Sequence, residues 1–293
     1  MISTGKRPEA PAAVWVCCAS ESEDRMLKER IMTGVGLTCA IAAVLLLSGY
    51  TVLLKAVSVI LSVMAAWELC RAGGYLQQKA FLLGTLAAAV LFALFGTAAS
   101  AGMVLLLALT AAVFLICRVQ NLTKLPKEII FLTVSINAYF FGLLAVLREQ
   151  PQGFGLLTMV ILIPVITDIG AFLLGTRFGK HKLAPIVSPH KTWEGSVGGT
   201  VCAVVLLAAA AWILQRSGIV SVRMSYLTVY LLIASCLSQL GDLTFSAIKR
   251  IAGIKDYGTL LPGHGGILDR FDSLVFVVPF TVFVTRYFGP LVS

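Results

Sequence analysis

The stretch FGLLTMVILIPVITDIGAFLLG, residues 154–175, is apolar along its whole length except for a single carboxylate, Asp168. A helix needs roughly 20 apolar residues to cross the hydrocarbon of a bilayer. About nine runs of this kind follow one another along the chain, at 32–48, 52–70, 80–99, 102–117, 128–147, 154–175, 196–215, 226–245 and 272–290. The pattern predicts an all-α fold, a polytopic transmembrane helical bundle of about nine spans.

Composition and charge indicate a protein embedded in a lipid bilayer. Of the 293 residues, 58% are hydrophobic and 13% are charged, whereas a soluble domain has about 25% charged residues. The net charge of +9 does not indicate a nucleic-acid partner. Lys and Arg cluster in alternate loops, and in membrane proteins such basic loops lie on the cytoplasmic side. We therefore expect the N-terminus inside and, with nine spans, the C-terminus outside.

Three regions differ in polarity along the chain. Residues 1–25 contain prolines, serines and acids, and we interpret them as a disordered tail or an upstream extension before Met26. Residues 26–150 have short loops and are expected to form a transmembrane scaffold, whereas 151–293 carry the polar clusters and form a catalytic region with cytoplasmic loops. The seven cysteines include no C-x-x-C pair, so neither a disulfide framework nor a zinc site is expected.

The first polar cluster is Asp168 itself. A carboxylate within an apolar span is costly and by default indicates function. The alternative is an aspartate near a helix end that a neighbouring backbone group or cation satisfies.

The second cluster is SPHKTWEGSVGG, residues 188–199. Ser188, Lys191 and Thr192 offer donors to a phosphate, and the glycines that follow open a helix N-terminus, which attracts anions. The alternative is an ordinary basic cytoplasmic loop, since the order of a Walker A loop is absent.

The third cluster spans residues 242–273. Asp242, Ser246 and Lys249 lie at i, i+4 and i+7, so a helix places them on one face, and Asp269, Asp272 and Ser273 are predicted to share a face at the start of the last span. These two faces could converge on Mg²⁺, which favours one or two carboxylates plus substrate phosphates. Cations that could neutralise phosphate charge are Lys249, Arg250, Lys255 and Arg270. The alternative is a structural ion-pair network.

The run from Ser246 to Asp272, SAIKR, four residues, then KDYGTLLPGHGGILDRFD, resembles the complete signature of the phosphatidate cytidylyltransferases, the CDP-diacylglycerol synthases. The SPHKTWEG and TDIGAF motifs resemble family motifs in the right order. Two positions depart from bacterial members, which usually carry Glu where Phe245 stands and often Lys where His190 stands. We expect Phe245 to border the polar helix face, so that Phe245→Glu is tolerated and lowers the Mg²⁺ requirement.

The resemblance implies transfer of the cytidylyl group of CTP to phosphatidic acid in phospholipid biosynthesis, at a bacterial plasma membrane with the active site facing the cytoplasm. It implies a homodimer and a Mg²⁺ cofactor, with room for a second cation. It also implies roles for individual residues: Asp242 and Asp269 as metal ligands, Asp272 and Asp168 as supporting acids or ligands, Lys191, Lys249, Arg250 and Arg270 as phosphate contacts, Gly265 and Gly266 as backbone donors to the nucleotide, and His264 as a phosphate contact or orienting group.

Two other functions remain open from the residues. A CTP-dependent kinase of a lipid alcohol would need a general base for the hydroxyl. A transporter could use intramembrane carboxylates as an ion path, but transporters commonly show related halves, and the first half of this chain has few polar span residues.

The charge pattern makes a topological prediction. In a cysteine-free background, single cysteines placed at Ser188 or Gly258 should resist a membrane-impermeant thiol reagent added to intact cells and should react after the membrane is opened. Labelling of either position from outside would reverse the predicted orientation.

Overall fold

The structure is a computed structural model that describes residues 32–36, 38–39, 42–95, 101–119, 122, 124–150, 152–258, 265–289 and 291. Residues 32–36 and 42–47 are helical. The elements that follow are α1 (Thr51–Ala72), α2 (Lys79–Phe95), α3 (Ala101–Arg118), α4 (Lys127–Arg148), α5 (Gly153–Phe178), β1 (Lys182–Ala184), β2 (Ser188–Thr192), α6 (Trp193–Arg216), α7 (Met224–Ile251), α8 (Leu268–Phe271) and α9 (Leu274–Tyr287).

The apolar runs and the helices coincide. Each predicted run from residue 52 onward corresponds to one apolar helix, because a backbone in lipid must satisfy its hydrogen bonds within the segment. Five helices, α1, α4, α5, α6 and α7, are long and apolar enough to cross a membrane, and α2, α3 and α9 are shorter apolar helices. The chain is thus a mainly helical membrane protein. The count of nine spans stays a prediction, because parts of the run at 32–48 lie outside the described residues.

One element was not expected from an all-α fold. Strands β1 and β2 pair antiparallel, with Lys182 opposite Thr192 and Ala184 opposite Ser188. The loop between α5 and α6 is therefore a short β-hairpin. Pro189 is compatible with it, because a two-stranded ribbon has only edge strands, where a missing N–H is tolerated.

Helix packing arranges the bundle in two groups around a common core. Helix α4 contacts α1 and α2 on one side, while α5, α6 and α7 contact one another on the other. Helix α9 touches α3, α4, α5 and α7, and so joins the two groups. The core contains large side chains without solvent exposure, such as Phe140 and Phe141 of α4 and Phe276 of α9.

Helices α5 and α6 pack closely. A side chain on Gly199 of α6 would collide with the carbonyl oxygen of Thr167, and one on Gly170 of α5 would lie 2.9 Å from Cβ of Cys202. These glycines allow close helix approach, as small residues do in membrane interfaces. The close packing fixes the distance between Asp168 on α5 and the segment that enters α6.

Candidate active site

A cavity of about 490 Å³ lies between α5, the hairpin, the start of α6, and α7. Each of these elements contributes polar side chains to its wall: Asp168, Lys182, His190, Lys191, Thr192, Ser196, Gln239 and Asp242. The cavity therefore unites the first two sequence clusters with Asp242 of the third.

An ion pair crosses the cavity wall. Nζ of Lys191, on β2, contacts Oδ2 of Asp242, on α7, and the Ser246 hydroxyl donates to the other oxygen, Oδ1, at 3.2 Å. The predicted helical face of Asp242 and Ser246 is confirmed in this contact. The ion pair attaches the hairpin to the helix that carries the aspartate.

Asp168, on α5, lines the same cavity and interacts electrostatically with Asp242 and Lys191. Within the described ranges, its carboxylate has no hydrogen bond or salt bridge at contact distance. Two carboxylates and one ammonium group thus face one space, an arrangement that leaves acceptors free for a cation and a donor free for an anion.

A polar network lies on the helices below the cavity. The Thr167 and Ser235 hydroxyls are 2.9 Å apart, and Ser235 donates to the Thr200 hydroxyl at 3.2 Å. Gln239 donates to the same Thr200 hydroxyl at 2.9 Å and also accepts from the Ser196 hydroxyl. This network connects α5, α6 and α7 and satisfies polar groups that lipid could not.

Thr192 has a structural contact besides its place in the cavity wall. It is the N-cap of α6, and its hydroxyl accepts from the backbone N–H of Gly195 at 3.2 Å. A capping threonine satisfies one of the free N–H groups of a helix start. The start of α6 therefore lies at the cavity, as the sequence predicted for this segment.

Asp269 lies in a second, separate cluster. Its Oδ1 accepts from Nζ of Lys249 at 2.8 Å, and its Oδ2 accepts from the backbone N–H groups of Tyr257 and Gly266, each at 2.9 Å. Both oxygens thus accept hydrogen bonds, and the side chain of Asp269 is 4% exposed. The metal contact of Asp269 stays a prediction.

Asp272 lies between the two clusters. It is buried, and its Oδ1 accepts from the backbone N–H of Ser273 at 2.7 Å and from the Ser273 hydroxyl at 3.2 Å. It interacts electrostatically with Asp242, Lys249 and Asp168. The expected polar face at the start of the last span differs in detail, because Asp272 and Ser273 form a turn and α9 begins only at Leu274.

Tyr257 ties this second cluster to α7. Its hydroxyl donates to the carbonyl oxygen of Phe245 at 3.0 Å, and its ring lies 5.5 Å below Nζ of Lys249. Burial, reinforced by the charges of Asp269 and Asp272, raises the pKa of the Tyr257 hydroxyl well above its ordinary value. The hydroxyl therefore remains a neutral donor.

The remaining predicted residues lie around these clusters. Arg250 is exposed, and its Nε donates to the carbonyl oxygen of Val187 in the hairpin turn at 3.2 Å. Ser188 is half-buried at the start of β2, while Lys255 and Arg270 are exposed. Gly265 has φ 81° and adjoins Asp269, and His264 lies outside the described residues. The contacts place Arg250 beside the hairpin and leave the roles of the others as predictions.

Sequence reasoning missed Lys182 and Gln239 in the cavity wall, and Glu68 at the signature segment. Glu68 of α1 is buried and accepts two backbone hydrogen bonds from residues 267 and 268. A glutamate inside the apolar run 52–70 is costly, and that cost was the signal that could have identified it. Gln239 gave no comparable signal, because one amide within a helix is compatible with many environments.

The carboxylates of the cavity can be compared with the ligands that Mg²⁺ prefers. No group of three or more His, Cys, Asp or Glu side chains close enough to hold a metal occurs in the part of the chain that the structure describes. Mg²⁺ does not need such a group, since it binds one or two carboxylates and completes its shell with substrate phosphates and water. Asp168 and Asp242, which share the cavity, fit this donor set.

Phe245 borders the polar face of α7, since it lies three residues after Asp242 and four before Lys249. It is 2% exposed and lines an apolar cavity of about 350 Å³ between α3, α4, α7 and α9. Its ring packs edge-on against Tyr257 at a centroid distance of 6.2 Å. Phe245 thus packs into the core beside the polar face, and the effect of an acid here on the Mg²⁺ requirement stays a prediction.

The fold and this cavity define an integral membrane protein whose polar cavity is lined by both acidic and basic side chains. The sequence profile described as the cytidylyltransferase family matches residues 28–288. The chain belongs to this family.

Curated relatives agree with the profile. The chain is 39% identical over 149 residues to the phosphatidate cytidylyltransferase of Staphylococcus saprophyticus and 40% identical over 149 residues to that of Staphylococcus aureus. Each alignment covers 51% of this chain and 56% of the relative, so the chain spans about half the length of the curated relatives it matches.

The position of Phe245 leads to a prediction about stability. Phe245→Glu should lower the free energy of unfolding by at least about 2 kcal/mol, because it puts a carboxyl group in the apolar core, and Lys249, the cation one turn away, is already paired with Asp269. Phe245→Leu, the apolar control, should cost less. Thermal unfolding in detergent micelles measures both. A Glu variant that melts like the wild type and needs less Mg²⁺ would place residue 245 at the metal site instead.

Proposed function

We propose that the chain transfers the cytidylyl group of CTP to phosphatidic acid, giving CDP-diacylglycerol and pyrophosphate in phospholipid biosynthesis. Family membership and the activity for which the staphylococcal relatives are named support this. The observation that carries the proposal is the cavity in which Asp168, Asp242 and Lys191 meet beside the start of α6. It combines acceptors for a cation with donors for phosphates.

The reaction needs little covalent chemistry from the protein. An oxygen of the phosphatidic acid phosphate attacks the α-phosphorus of CTP, the bond from that phosphorus to the oxygen bridging to the β-phosphate breaks, and pyrophosphate leaves with the electron pair. The attacking oxygen is already ionised, so no general base is required. Such phosphorus chemistry is catalysed mainly by positioning and by stabilisation of charge.

Asp168 and Asp242 are the residues that would hold Mg²⁺. Asp272 interacts electrostatically with both carboxylates and would add to the negative potential at the ion. When bound, the ion would screen phosphate charge and orient the triphosphate. A second cation stays a prediction.

The cations of the site would then hold the phosphates. In our proposal Lys191 exchanges its contact with Asp242 for a phosphate oxygen when CTP and Mg²⁺ bind. Without substrate, the ion pair holds the Lys191 ammonium group and the Asp242 carboxylate at the cavity. Lys182 in the cavity wall adds a second ammonium group. Arg250, already bonded to the hairpin turn, supports the same hairpin from α7.

We further propose a bacterial plasma membrane as the location, with the cavity facing the cytoplasm, where CTP is made. The basic residues of the hairpin loop support this orientation by the positive-inside rule. A homodimer is proposed from the family resemblance.

The direct test uses the full chain purified in detergent micelles. With CTP, Mg²⁺ and phosphatidic acid, we expect pyrophosphate and a cytidylylated lipid in equal amounts. Neither should form when diacylglycerol replaces phosphatidic acid. Release of CDP with a phosphorylated lipid alcohol would instead show a kinase, and absence of any CTP turnover together with ion flux in liposomes would show a transporter.

The metal assignment predicts the behaviour of two variants. Asp168→Asn and Asp242→Asn keep the side-chain shape but remove a charge that holds the cation, and each should lower the rate at least about 10²-fold. A Mg²⁺ titration of the initial rate measures the effect. Glu149→Gln is the control, because this glutamate is half-exposed and pairs with Lys55. If both Asn variants kept the wild-type rate at low Mg²⁺, the assignment would be wrong.

A further inference from the structure

Glu68 connects the scaffold half of the chain to the signature segment. It is 2% exposed on α1. Its Oε1 accepts from the backbone N–H of Ile267 at 2.9 Å, and its Oε2 accepts from that of Leu268 at 2.9 Å. These donors lie 199 and 200 residues further along the chain. One carboxylate thus holds two consecutive peptide groups at the start of α8.

The same carboxylate lies against two glycines of the signature segment. A Cβ added to Gly266 would lie 2.6 Å from Oε1 of Glu68, and one added to Gly258 would lie 2.9 Å from it. Gly258 and Gly266 are themselves close, since that added Cβ on Gly258 would be 3.5 Å from Cα of Gly266. The lack of side chains at both positions allows the backbone to approach the glutamate.

A second carboxylate completes the arrangement. Asp269 accepts from the backbone N–H groups of Tyr257 and Gly266, while Glu68 accepts from the next two residues, Ile267 and Leu268. Three consecutive N–H groups, from 266 to 268, are therefore each directed at a carboxylate oxygen. This geometry fixes the path of the chain immediately before Asp269, Arg270 and Asp272.

The placement is costly for stability alone. A buried carboxylate loses its hydration, and Glu68 also interacts unfavourably with the charge of Asp269. Hydrogen bonds to charged acceptors are strong, so they offset part of this cost. An apolar residue at 68 would pack in the same place without the desolvation cost, but it would leave the N–H groups of Ile267 and Leu268 without these partners.

We propose that Glu68 is a positioning residue: it acts through Ile267 and Leu268 to fix the turn that presents Asp269, Arg270 and Asp272. Its effect on catalysis rests on the proposed function. Its effect on the backbone does not, because the hydrogen bonds exist whatever the reaction is.

The test compares Glu68→Gln, Glu68→Asp and the control Glu149→Gln in the full chain in detergent micelles. The amide of Gln has one acceptor and turns a donor toward the second N–H. We expect kcat with CTP and phosphatidic acid to fall about 10- to 100-fold, the effect typical of a supporting residue. KM for CTP should stay within about threefold, because the proposed nucleotide cavity lies on other elements, and the melting temperature should change little.

Hydrogen exchange supplies a readout that needs no activity. In Glu68→Gln, peptides covering 265–271 should exchange faster, whereas peptides of α5 and α6 should not change. Glu68→Asp keeps two acceptor oxygens and should recover part of kcat and of the protection. Glu149→Gln should match the wild type in every measurement.

The outcomes separate the two proposals. Wild-type kcat and protection in Glu68→Gln would overturn the positioning role, as would faster exchange throughout the protein with a lowered melting temperature, which indicates a purely structural role. If the wild-type protein does not turn over CTP, the proposed function fails. Local exchange in Glu68→Gln would in that case still support the positioning role, and unchanged exchange would overturn it.

Discussion

The arrangement of the site depends on two ion pairs made by one helix, α7. A charged group inside an apolar bundle needs a partner, because lipid offers none. Asp242 meets Lys191 of the hairpin, and two helical turns further on Lys249 meets Asp269 of α8. These pairs bring two loops, distant in sequence, onto one helix face.

A neighbouring face of α7 has a different character. Phe245 packs there into the core and lines an apolar cavity, while Asp242 and Gln239 line the polar one. The helix therefore separates a site suited to phosphates from a space suited to apolar groups. An aromatic residue one turn from Asp242 is compatible with a charged site because its ring packs into the core and against Tyr257, whereas Asp242 lines the polar cavity.

Much of the fold followed from the sequence, and the reasons are physical. Apolar runs of span length predict helices, because lipid excludes other backbone conformations, and α1 to α7 and α9 coincide with such runs. Asp168, Lys191 and Asp242 were each identified as functional candidates, and the structure brings them to one cavity. The hairpin was not predicted, since its five-residue strand SPHKT lacks the apolar/polar alternation typical of strands and contains a single β-branched residue, Thr192.

The hydrogen-bond and ion-pair partners of the site residues were less predictable than the helices on which these residues lie. The sequence placed Asp269 with the metal ligands, but the structure pairs it with Lys249 and two backbone N–H groups. Glu68 and its donors are separated by 199 and 200 residues, and no local pattern carries information about such a contact. Helical periodicity shows which side chains share a face, whereas tertiary packing decides what that face meets.

We propose that the ion pair of Lys191 and Asp242 marks the place where the triphosphate of CTP binds. Equilibrium binding of radiolabelled CTP in the presence of Mg²⁺ measures this, with Lys191→Met compared with the wild type and with Lys55→Met, whose lysine is half-exposed beside Glu149. We expect Lys191→Met to weaken CTP binding at least about tenfold, the loss of one charge-assisted contact, and Lys55→Met to bind like the wild type. Equal CTP affinity in all three proteins would show that the triphosphate binds elsewhere.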